Sequence, residues 1–166
     1  MFADWFRRSI SFIPIRDPSF VIRRRRAREV ALQVLFQDDL NPRVDLHAAD
    51  EFLRGRLRFP EVVEFGRGLV AGVRRNRPEL DRRIEKAAEH WSVHRMAVTD
   101  RNVLRMGAYE ILFSDTPHPV AINEAVELAR RYGAAQSAQF VNGILDRLMR
   151  EREEEGAAIR GEGSPG

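Results

Sequence analysis

Residues 23 to 28 read RRRRAR, five arginines in six positions. A guanidinium is a planar fork of N–H donors that grips phosphate oxygens two at a time, so this density points to a phosphate chain. Other residues with chemical potential offer less. His90 and His94 are four apart, a spacing that can set two metal ligands on one helix face, but no third ligand or HExxH pattern joins them. Two ordinary surface or helix-end histidines is the plainer account. Asp38-Asp39 reads as solvated helix-end charge, and Glu124 with Glu127 as an exposed helical pair. Ser137 has no nearby histidine and acid to complete a triad. Gly66-x-Gly68 falls inside a helical pattern and makes no phosphate loop. The expectation is a protein without enzymatic activity, cofactor or metal.

The elements that must carry the arginines are helices. Ala27, Val30, Ala31, Val34 and Leu35 recur at i, i+3, i+4, i+7 and i+8, which predicts an amphipathic helix over 24–37. Asn41-Pro42 breaks it, and Asp45 can cap the next helix, through about Arg58. Pro60 suits the first turn of a third and Pro78 opens a fourth. Thr99 or Asp100 caps 100–113, helix 119–132 ends on Gly133 as a left-handed cap, and the last helix covers about 136–152. No alternating strand pattern and no fixed repeat is present. The fold class is therefore all-α, about seven helices in two packed subdomains, 23–77 and 78–150. Residues 1–22, broken by Pro14 and Pro18, read as a disordered extension, or one lying ahead of a biological start near Val21. Residues 151–166 read as a disordered polar tail.

Charge is unevenly placed. The chain carries +3 overall, but residues 1–37 hold eight arginines against Asp4, Asp17 and Glu29, and the remainder is net negative. Cations at a helix N-terminus oppose the macrodipole. A site there makes physical sense if a phosphate backbone passes, because the first-turn N–H groups also attract anions. Nucleic acid is the leading partner, RNA ahead of DNA, because arginine-rich segments dock on RNA and no helix-turn-helix signature is evident. The alternative is a solvated flank of a core helix. Cysteine is absent, which fits a reducing, cytoplasmic setting, and no apolar run is long enough to span a membrane.

RRRRAREVALQVLFQ, RNVLRMGAYEILF, VAINEAVELARRYGA and FVNGILDRL, in that order, resemble the bacterial transcription antitermination family NusB, over roughly residues 23 to 150. The resemblance implies two helical subdomains and a protein that binds boxA-type RNA together with the ribosomal protein NusE. That complex joins RNA polymerase and promotes readthrough, chiefly in ribosomal RNA operons. Carried over by position, the RNA-backbone group is Arg23, Arg24, Arg25, Arg26 and Arg28. Phe140 matches an aromatic position associated with RNA, where a ring can stack on an unpaired base; core packing is the alternative. Gln136, Ser137 and Gln139 precede it and could bond base edges or phosphates, Gln136 replacing an acid found in some members. Phe36, usually Tyr in the family, and the polar pair Asp100 and Arg101 match positions facing the protein partner. Packing for the first and helix capping for Asp100 remain alternatives.

Two other functions stay open. One is a homodimer or protein-only adaptor that buries Phe140 and the arginines. The other is the remnant of an RNA methyltransferase, since similar domains occur fused to such enzymes; the missing cysteine nucleophile counts against it.

Overall fold

The computed structural model describes residues 18–41 and 45–162. These form six α-helices: α1 (Pro18–Leu40), α2 (Leu46–Arg56), α3 (Pro60–Ala87), α4 (Val98–Phe113), α5 (His118–Tyr132) and α6 (Ser137–Glu162). A single 3-10 turn, Val93–Arg95, precedes α4, and no strand is present among the described residues. The all-α class expected from the sequence is the class observed.

Several boundaries fall where local signals place them. Asp45 caps α2, its side chain accepting from the His47 backbone N–H at 3.0 Å. Pro60 sits in the first turn of α3, where its missing N–H costs nothing.

Others do not. Pro78 opens no helix; it lies inside α3, which runs unbroken for 28 residues. Helix α3 therefore runs across the position 77/78 at which a subdomain boundary was expected. An interior proline forfeits one backbone hydrogen bond and costs about 3 kcal/mol. Here burial on both sides offsets it, with Leu69, Val73, Leu80, Ile84 and Ala87 all 2% exposed or less. Those five positions keep one helical register straight through Pro78. The core joins all six helices: α1 and α2 pack on α3, α3 and α1 pack on α4, and α4, α5 and α6 pack together.

Three terminal expectations change as well. Helix α4 is capped by Ala97 without a side-chain bond, so Thr99 and Asp100 lie within its first turn. Gly133 is extended (φ −93°, ψ −171°), not left-handed. A glycine is required there by closeness, since a Cβ would lie 2.5 Å from the Ser137 side chain and 2.6 Å from the Ala129 carbonyl oxygen. Finally, α6 continues through Glu162 where a disordered tail was expected from 151. Arg83 and Lys86 of α3 pair with Glu155 and Glu151 of α6, at 2.7 and 3.3 Å, and tie this stretch down. Of the extension expected over 1–22, residues 18–22 form the start of α1 and the rest lie outside the described residues, as do 163–166.

Candidate nucleic-acid interface

Helix α1 is already in progress at Pro18, so Arg23 to Arg26 stand more than a turn inside it. The macrodipole acts mainly over the terminal turn. The arginines therefore do not sit on exposed first-turn N–H groups, and their apparent electrostatic cost disappears.

What holds them is a set of tertiary partners. Arg23 lies 3.9 Å from the Phe59 ring centroid and 3.8 Å from the Glu61 carboxylate. The Arg24 guanidinium carbon is 4.5 Å from the Phe20 centroid and 4.4 Å from that of Phe65. Arg25 donates two bonds to Glu124, at 3.0 and 2.8 Å, which raises its pKa further. Arg26 donates to Glu29 at 3.0 Å. Arg23, Arg25 and Arg26 remain 38%, 43% and 50% exposed, so their outer N–H groups still face solvent.

Arg28 does not belong to this surface. Its side chain is 3% exposed and forms a bidentate pair with Glu110 of α4, itself 2% exposed, at 2.6 and 2.9 Å. Thr116 donates a further bond to Glu110 at 3.0 Å. Arg28 follows Ala27 around the helix onto the core face, where a buried guanidinium requires a carboxylate.

Glu29 also pairs with Arg131 at the end of α5, which brings that helix end beside Arg26. Four residues separate α5 from α6, with Gln136 just before α6 and Gln139 and Phe140 in its first turn. Gln136 and Gln139 are exposed; Phe140 is half-buried, one part packed on the core and the rest open. Ser137 is 3% exposed, and its hydroxyl accepts from the Ala134 N–H at 2.9 Å. It closes the α5–α6 turn and does not face a ligand.

The expected partner-binding residues lie on α1 and in the first turn of α4. Phe36 is half-buried and lines a groove of about 380 Å³ with Leu32, Gln33, Phe52, Thr99 and Tyr132. Asp100 adjoins it in the first turn of α4, with Oδ1 buried and lacking a hydrogen-bond partner. Arg101 donates to Asp39 at 2.7 Å and is 15% exposed, so it is largely committed to the protein.

Asp39 is the centre that sequence reasoning missed. It accepts from Arg77, Arg101, Asn102 and Arg105, and Arg105 also grips Asp81. Burial alone would push its carboxyl up; the bonds from Arg101 and Asn102 and the charge of Arg105 overrule that and lower its pKa to about 2. Asp38 is likewise bound, by Arg74 at 2.7 and 2.8 Å. A signal did exist: acids in the last turn of a helix oppose the macrodipole and invite a cationic partner. Glu124, whose spacing from Glu127 predicts an exposed position, is 5% exposed and holds Arg25. The two histidines share no helix face, because His90 lies in a positive-φ turn (67°) and His94 in the 3-10 turn. Among the described residues no group of three potential ligands could hold a metal.

The NusB family model matches residues 25–150, which takes in α1 from Arg25 through most of α6. The chain belongs to the NusB family. Among NusB relatives, the transcription antitermination protein of Bdellovibrio bacteriovorus is 44% identical over 127 residues, covering 75% of this chain and 93% of that protein. That of Pelotomaculum thermopropionicum is 43% identical over 145 residues, covering 85% and 99%. The structure of T. maritima NusB superposes with a TM-score of 0.71 at 41% identity, covering 77% of this chain and 91% of that one. A structure of the antitermination factors NusB and NusE in complex with double-stranded RNA superposes with a TM-score of 0.69 at 29% identity, covering 78% and 97%.

Proposed function

We propose that this protein is a non-enzymatic, RNA-binding transcription antitermination factor of the cytoplasm. It binds boxA-type single-stranded RNA jointly with NusE and joins the antitermination complex on RNA polymerase. The observation that supports this is the sharing of Glu29 by two exposed guanidinium groups, Arg26 on α1 and Arg131 at the end of α5, just ahead in sequence of Gln136, Gln139 and Phe140, inside a fold similar to that of a NusB solved with NusE and RNA. Guanidinium groups at Arg23 to Arg26 hold phosphates, Phe140 stacks on a base, and the two glutamines read edges. The Phe36–Thr99–Tyr132 groove, with Asp100 at its margin, receives NusE. Arg28 and Ser137 act as supports, since both are buried and satisfied within the chain.

The test is fluorescence anisotropy of boxA-type RNA against a scrambled RNA over a salt series, with and without NusE. Tighter boxA binding that NusE strengthens is the expected result. Equal, weak binding to both RNAs with no effect of NusE overturns it and leaves a protein-only adaptor. Mass measurement on the same samples separates a homodimer, unchanged by RNA, from a complex of one chain with one RNA.

A further inference from the structure

The groove between α2 and α3 holds a second concentration of guanidinium. A cavity of about 760 Å³ is floored by Ala49, Leu53, Val70 and Ala71 and rimmed by Arg54, Arg67, Arg74 and Arg75. A second cavity, of about 380 Å³, shares Arg54 and Arg67 and carries the trough on to Arg58 and Pro60. Acids answer this charge only in part. Asp50 accepts from both Arg54 and Arg67, Glu64 pairs with Arg67, and Asp38 with Arg74. Arg58 and Arg75, near opposite ends, are exposed and have no ion-pair partner among the described residues. Nothing in the fold accounts for two unanswered cations flanking a line of shared ones.

No phenylalanine, tyrosine or tryptophan ring lines either cavity, and His47 is the one ring among the lining residues of the larger, so the trough offers no row of rings on which successive bases would stack. It presents charge at intervals over an aliphatic floor. Arg67 and Arg74 are two turns apart on α3, about 10 Å. Such a line suits a sugar–phosphate backbone. The trough also adjoins the arginines of α1. Arg23 lies over Phe59 and against Glu61, on either side of Pro60, where the trough begins. From Glu61 to Arg75 helix α3 runs about 21 Å.

We infer that the α2–α3 trough is a second RNA contact, which takes the phosphodiester backbone of a single strand as it leaves the α1 arginines and does not read its bases. This rests on the RNA-binding function proposed above. It makes the RNA site longer than the α1–α6 face alone, with a sequence-blind extension.

The test uses the full chain, with single-stranded RNAs of about 6 and about 20 nucleotides, one near the short end of common single-strand site sizes and one beyond the long end. The Arg58→Glu/Arg75→Glu variant is compared with an Arg150→Glu/Arg160→Glu control of equal net charge, both checked by thermal melting. The trough variant is expected to bind the long RNA at least about tenfold more weakly, with a salt slope shallower by about 1.4 for two lost phosphate contacts. Its affinity for the short RNA matches the control. A trough variant indistinguishable from the control on the long RNA, in affinity and slope, overturns the inference; an acidic protein segment would then be the remaining occupant. Failure of the unsubstituted chain to bind either RNA overturns the RNA-binding function itself, and the inference with it.

Discussion

Arg28 and Glu110, 82 residues apart in sequence, form a bidentate ion pair at 2.6 and 2.9 Å in the core between α1 and α4. The fifth arginine of the basic run is thus a packing element. Arg28→Ala strands a buried carboxylate and is expected to cost about 3–5 kcal/mol. Arg26→Ala removes a half-exposed guanidinium from Glu29, which Arg131 still pairs, and should cost no more than about 1 kcal/mol. Urea denaturation of both variants checks this, and equal stabilities would place Arg28 outside the core.

Replacing Arg24, Arg25 and Arg26 by Ala should weaken all RNA sequences about equally. Each lost phosphate contact lowers the slope of log affinity against log salt by about 0.7 for a single strand. An unchanged slope sinks the role of α1 as a phosphate clamp.

Phe140 both packs and presents a face, so truncation to Ala mixes two effects. Phe140→Leu retains most of the packing and removes the stacking ring. RNA affinity should fall by about 1–3 kcal/mol with no change in salt slope and only a small shift in melting temperature. Undiminished RNA affinity in a folded Phe140→Leu protein would assign the ring to the core alone.

Asp39 titrates at a lower pH in the folded protein than in the unfolded chain, about 2 against 3.8. Its carboxylate therefore stabilises the fold fully above pH 3.8, and that contribution, about 2 kcal/mol, is lost as pH falls toward 2. Asp39→Asn leaves Arg77 and Arg101 without their carboxylate and should lower stability near neutral pH by about 3 kcal/mol. Acid titrations followed by circular dichroism should show a shallower loss for the variant between pH 4 and 2. Parallel curves would mean that Asp39 does not govern acid stability.

Helical periodicity was readable because it is local. Ala27, Val30, Ala31, Val34 and Leu35 mark one face of α1 whatever surrounds them, and each is 5% exposed or less. The caps at Asp45 and Pro60 are local in the same way. Pro78 misled for the complementary reason: its penalty is local, while the burial of Val73, Leu80 and Ile84 that outweighs it depends on α1, α4 and α6.

The sequence by itself determined that the protein is helical, that its positive charge is concentrated near the front, and which family motifs it carries in which order. The tertiary structure alone decided which of those charges are available. Arg26 and Arg28 have the same side chain two residues apart, yet one is 50% exposed and the other 3%. Two residues turn a helix by about 200°, and only the position of Glu110, on a helix 82 residues away, decides that the inward arginine finds a carboxylate. Asp39 is the same case in reverse, a helix-end acid in sequence that folding surrounds with Arg77, Arg101 and Arg105. Ion pairing between helices acts through space at a few ångströms, so spacing along the chain does not say which distant cation answers which acid.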